Sequence, residues 1–171
     1  TFSGILASIN YVGYLSGSNF AIFIKDINTK VKYFRLGIIL CILTTIIMGV
    51  TTNEILWLLG RVIAGFGAAM ALVVGAAIVM TKLNFQDKTK AMGIYFSGIG
   101  IALASSDIIS RYVLSFSSWQ NSWIVLTFCA IAVAAYPLYI LSFDNELSQK
   151  NEKHPFNKAL FSPFVVVLIV A

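Results

Sequence analysis

The sequence predicts an all-α polytopic membrane protein, and three observations carry that prediction. Of 171 residues, 58% are hydrophobic and only 11% are charged, against roughly a quarter charged in an ordinary soluble domain. The mean hydropathy is +0.86. The few charges are clustered, leaving between them apolar runs of the ~20 residues that a helix needs to cross a bilayer. A soluble enzyme of this size needs a charged surface that this chain does not have, and the same apolar content excludes a disordered chain. The net charge of +5 and the pI near 9.3 do not indicate nucleic acid, because the 12 Lys and Arg residues are spread too thinly for a phosphate-binding stripe.

The elements follow in order. Residues 1–24 carry no charge and form a first span. A basic loop holds Lys25, Asp26, Lys30, Lys32 and Arg35. A second span covers about 36–52, and a short turn at Asn53 and Glu54 leads into a third, about 55–81, which contains Arg61. A polar loop holds Lys82, Asp87, Lys88 and Lys90. The fourth span, about 91–114, contains Asp107 and Arg111; the fifth covers about 122–143 and contains Pro137, which removes one helix hydrogen bond and predicts a kink. A hydrophilic linker at 144–158 reads as the boundary before a further apolar run at 159–171. The chain opens at Thr1 with no Met and no signal-peptide pattern and stops within that last run, so the sequence reads as part of a longer protein whose remainder is its first partner.

The loops alternate in charge. Those at 25–35, 82–90 and 144–158 hold Lys and Arg, and the two between them hold none. Basic residues stay on the cytoplasmic side, so these three segments are expected there, in a bacterial inner membrane. Lipid gives helices no hydrophobic reason to associate, and they pack instead through small residues. Gly13 and Gly17 on the first span, Gly65 and Gly67 on the third, and Gly93 and Gly100 on the fourth are the candidates for helix packing.

Three charges lie inside spans. A charge at the bilayer centre costs about 2.5–3.5 kcal/mol on insertion scales, so it persists where it is paired, hydrated or functional. At 1.5 Å per residue, Arg61 and Asp107 lie roughly 9 and 10 Å below the same face, which allows an ion pair between helices. Arg111, four residues after Asp107 on the same helix face, offers a second partner. Both pairings stay open. A static clamp competes with a functional reading in which these residues tune a proton or bind an anionic solute. Asn10 and Tyr14 share a face of the first span, as suits either a solute cavity or helix–helix bonding. Candidate residues for solute binding or proton coupling are therefore Arg61, Asp107, Arg111, Asn10 and Tyr14.

Other classes fit poorly. The single His, His154, lies in the linker, and only Asp107 is an Asp within a span. Neither a serine nor an aspartyl intramembrane protease can be assembled, nor a haem site with axial His ligands. Cys41 and Cys129 have no metal-ligand spacing and read as small apolar residues. No catalytic residue, cofactor or metal is expected. A channel needs a charged ring or a carbonyl filter, and neither is visible.

The run Leu59-Gly60-Arg61-Val62-Ile63-Ala64-Gly65-Phe66-Gly67-Ala68-Ala69 resembles the fourth-helix signature of the major facilitator superfamily (MFS), with Ala64 in place of the usual Gln. Trp119-Gln120-Asn121-Ser122-Trp123 resembles the lead-in to that family's sixth helix, with Gln120 for Arg. Residues 10–17, Asn10-Tyr11-Val12-Gly13-Tyr14-Leu15-Ser16-Gly17, are similar to the second helix of the YbfB-like branch. The resemblance implies helices two to six of a twelve-helix carrier: residues 1–143 as an N-terminal half lacking its first helix, 144–158 as the central cytoplasmic loop, and 159–171 as the start of helix seven. It implies alternating access between two halves, carriage of a small organic solute with a proton as coupling ion, and Arg61 as the cavity or coupling residue. The loop pattern Gly-x-x-x-Asp-Arg-x-Gly-Arg-Arg and the fifth-helix Gly-Pro of drug antiporters are absent, which favours a more general secondary carrier. A non-transporting membrane subunit or an inactive truncated product is the alternative, and the 171-residue chain alone is expected not to transport.

Overall fold

The computed structural model describes residues 2–82 and 85–148, and these are helical with short connections. In order they form α1 (Phe2–Ile22), α2 (Ile27–Val50), α3 (Glu54–Ala69), a π turn at Met70–Val74 that leads directly into α4 (Gly75–Lys82), α5 (Phe85–Leu114) and α6 (Trp119–Ser148). No strand occurs among the described residues. The expected linker beyond residue 148 and the run at 159–171 lie outside them.

Among the described residues, four helices are long and apolar enough to cross a membrane: α2, the continuous α3–α4 unit, α5 from Thr89 and α6 to Tyr139. The all-α polytopic membrane fold is therefore what the chain forms. α1 has the length, at 21 residues, but is not one of the four. Its Ser, Asn and Tyr residues lower its hydropathy, although Ser8, Ser16, Ser18 and Asn19 each bond back to a carbonyl of their own helix. α6 also runs past residue 143 to Ser148, continuing through Pro137. Glu146 and Leu147 are good helix formers, and no Gly or Pro stops the helix there.

Local chemistry sets the helix starts. Asp26 caps α2, its carboxylate accepting from the Thr29 backbone N–H at 2.9 Å and the Thr29 hydroxyl at 3.0 Å. Asn53 caps α3 through the N–H groups of Ile55 and Leu56. The tight α2–α3 connection is closed by the Trp57 indole N–H, which donates to the Thr51 carbonyl at 2.8 Å.

The bundle is assembled by backbone approach at glycines. α1 and α3 run parallel. A Cβ on Gly13 would run into the Val62 carbonyl, and one on Gly65 into the Asn10 carbonyl. α2 runs antiparallel to α3 and crosses it where Gly37 meets the Gly67 carbonyl. Deeper in, Val31, Phe34 and Ile38 of α2 pack with Met70, Ala71 and Val74 of the π turn, Ile78 of α4 and Ala134 of α6. α5 is different: a Cβ at Gly93 or Gly100 would meet nothing within 4 Å, so the packing expected of Gly100 is not found among the described residues. α5 lies against α4 and α6 rather than beside α1 or α3.

The π turn is held from α5. Widening a helix loosens its regular ladder. The Gly75 backbone N–H reaches both the Ala71 and the Leu72 carbonyl, and the buried Tyr95 hydroxyl adds a donor from α5, 3.1 Å from the first and 2.9 Å from the second. Gly75 leaves the room: a Cβ there would lie 2.6 Å from the Tyr95 hydroxyl and 2.9 Å from the Phe34 ring.

Candidate functional site: a cavity around Arg61

One turn before the Gly65 crossing, α3 presents Arg61 to an open cavity of about 440 Å³. Residues Ser3, Leu6, Ala7, Asn10 and Tyr11 line it from α1, at the spacing of one helix face. Met48 closes it from α2, Trp57 and Arg61 from α3, and Trp123 from α6. Close contact at Gly13 and Gly65 fixes α1 against α3 below the cavity. The side chains of four helices then converge on the space above.

Arg61 sits in this wall in a defined pose. Its guanidinium carbon lies 5.3 Å from the centre of the Trp123 ring, a cation–π arrangement. Its Nε is buried and has no hydrogen-bond partner. Trp57, beside it, packs edge-on against Trp119 at 5.5 Å and is near Phe2 at 6.3 Å. Ser3 and Asn10 take no part in side-chain bonds to other described residues, unlike the serines further along α1. The lining therefore offers one cationic group, two neutral polar groups and a majority of apolar and aromatic surface.

The structure separates the other candidates from this cavity. Asp107 pairs with Arg111, whose Nε lies 2.8 Å from the carboxylate, and not with Arg61. The pair is exposed, with 79% of the Arg111 side chain and 59% of the Asp107 side chain uncovered. The similar depths of Arg61 and Asp107 are therefore not matched by a shared site. α5 lies against α4 and α6, while Arg61 lies in α3, and the partner one turn along the same helix is already in reach. Tyr14 also stays outside the lining, because its backbone nitrogen is pressed against Gly65 at the crossing. Asn10, one turn earlier, does line it.

Sequence reasoning missed Trp57, Trp123 and Met48 as neighbours of Arg61. Trp123 was visible as half of the Trp119–Trp123 pair one turn apart, but nothing in the chain before Trp119 says that α6 returns to α3. Tyr95 and the π turn were missed as well. No metal-holding cluster of His, Cys, Asp or Glu occurs among the described residues.

A bundle of apolar helices closed by glycine crossings, with a charged residue lining a cavity inside a span, defines a polytopic membrane protein. The chain matches the family described as "Uncharacterised MFS-type transporter YbfB" over residues 1–166, and it belongs to that family. It is 25% identical over 146 residues to "Multidrug efflux pump SdrM" of Staphylococcus aureus (strain N315), covering 83% of this chain and 32% of that protein. It is 31% identical over 87 residues to "MFS-type transporter poxA" of Penicillium oxalicum, covering 51% of this chain and 14% of that protein. The chain thus spans a third or less of the length of these relatives. No solved structure matches it significantly.

Proposed function

We propose that the full-length protein is a secondary active transporter of a small organic solute, working by alternating access, and that the cavity around Arg61 lies on the solute's path. The supporting observation is Arg61 itself. An ionisable side chain within a span is expensive to keep, and this one lines a cavity whose lining holds no acid to pair with it. Family membership supports the transporter class. The name of the Staphylococcus aureus relative speaks for organic solutes and for export, although the absent drug-antiporter motifs speak for a different substrate range.

The proton is the coupling ion in this reading. Arginine stays protonated at all working pH values, so the carrier of the proton must be another group. Asp107 is the carboxylate within the interior of a span among the described residues, and Arg111 holds it in an ion pair that a conformational change can open. In this reading the basic segments at 25–35, 82–90 and 144–158, helix ends included, face the cytoplasm of a bacterial cell, and the end carrying Trp57 and Trp119 faces outward.

Counterflow in proteoliposomes tests the reading. The full-length protein should exchange at least one labelled solute from a panel of organic anions, cations and neutral compounds, at a rate that responds to an imposed pH gradient. Arg61→Gln should abolish exchange or remove its pH response. An Arg61→Gln protein with unchanged exchange and unchanged pH dependence contradicts the role given to Arg61.

A further inference from the structure

We propose that the Arg61 cavity selects a monoanion with a flat apolar body, of which an aromatic carboxylate is the simplest example. This rests on the solute-path reading above and adds the charge and shape of the solute.

The charge follows from the lining. Arg61 is its only ionised group, and the polar residues beside it, Ser3 and Asn10, are neutral. Among the described carboxylates, Asp107 is already paired with Arg111, and Asp26 and Glu54 do not line the cavity. A cationic solute would meet a like charge in a cavity whose lining has no acid to receive it. A carboxylate would give Arg61 the counter-charge that the lining lacks.

The geometry favours a carboxylate in particular. The face of the guanidinium is taken by Trp123. That contact uses the π surface. Nε is closed off within the wall, so the terminal N–H groups are the ones left to meet a solute in the cavity that Arg61 lines. A planar fork of N–H donors held by stacking matches the two oxygens of a carboxylate. The body of the solute then lies along Trp57, Met48 and Leu6, a surface of aromatic and polarisable groups that suits a flat ring system. A volume of about 440 Å³ is within the range of small-molecule sites.

The test is calorimetric titration of the full-length protein in lipid nanodiscs with three shape-matched probes: biphenyl-4-carboxylate, biphenyl-4-carboxamide and biphenyl-4-methylammonium. The carboxylate should bind at least about tenfold more tightly than the other two. Arg61→Gln should weaken the carboxylate by roughly 10- to 100-fold, the loss expected of a charge-assisted hydrogen bond, and leave the amide little changed. Arg61→Lys, which keeps the charge and serves as the folding control, should keep the preference for the anion at reduced affinity. Equal or tighter binding of the ammonium, carboxylate binding unaffected by Arg61→Gln, or no binding of any probe would each overturn the proposal. The two readings fail separately. Exchange of cations through an Arg61-dependent path sinks the anion preference and leaves the carrier. Arg61-dependent carboxylate binding with no exchange of any solute sinks the carrier and leaves the anion site.

Discussion

At the scale of single residues, the account turns on where a side chain is absent as much as on where one is present. Gly13, Gly17 and Gly65 are positions at which α1 and α3 touch through backbone, and a Cβ at Gly13 or Gly65 meets a carbonyl that cannot move without the helix. Gly65→Ala should destabilise the full-length protein by about 1–3 kcal/mol, the usual cost of overpacking, read as a lower thermal midpoint in detergent. Gly100→Ala should be neutral or slightly stabilising by the contacts seen here. A large loss at Gly100 would report a further helix seated against that face. Asn53→Ala removes the cap of α3 and should cost about 1 kcal/mol. Asp26 carries a pH signature: the Thr29 backbone N–H, then its hydroxyl, hold the carboxyl below its ordinary value of 3.8. A carboxyl whose folded value is depressed stabilises above the unfolded value and loses that contribution as pH falls through the folded one. Asp26→Asn keeps a cap acceptor without the charge, so the acid limb of the stability curve below about pH 4 should become flatter.

At the scale of elements, the π turn and α1 were the least legible in sequence, for different reasons. The segment Met70–Val74 is apolar and unremarkable in composition. What makes it a π turn is the Tyr95 hydroxyl arriving from α5 with space provided by Gly75, a coincidence of two helices that no local pattern encodes. Tyr95→Phe should therefore speed amide hydrogen exchange around Val74 and Gly75 and lower stability by about 0.5–1.5 kcal/mol, because the one hydroxyl proton shared by the Ala71 and Leu72 carbonyls is lost and the Gly75 N–H alone remains. An unchanged exchange rate there would mean that the turn does not depend on the hydroxyl. α1 looked like a span because it lacks charge, yet its polar residues leave it short of the hydropathy of the other four. Its Ser3–Asn10 face is turned to the cavity instead. By contrast, the Asp107–Arg111 pairing was one of two options that spacing alone offered, and the path of α5 decided between them.

For the whole molecule, the helix order and the bilayer setting were legible because a charge-free apolar run has few other fates. The cavity was not, because Arg61, Met48, Asn10 and Trp123 come from four helices and meet only after folding. Sidedness is a prediction at this scale. In intact cells carrying full-length protein with every native cysteine, Cys41 and Cys129 among them, replaced by alanine, Phe116→Cys should react with a membrane-impermeant thiol reagent. Lys32→Cys should react only after permeabilisation; the reverse pattern would invert the topology. The central claim is that the cavity belongs to an alternating path, and its most direct measurement is the accessibility of a single cysteine at position 10, Asn10→Cys, in the same background. An impermeant reagent should reach it from the outside under one direction of imposed pH gradient and from the inside under the other, and a transported solute should protect it. Reaction from one side only, whatever the gradient or solute, would contradict the account.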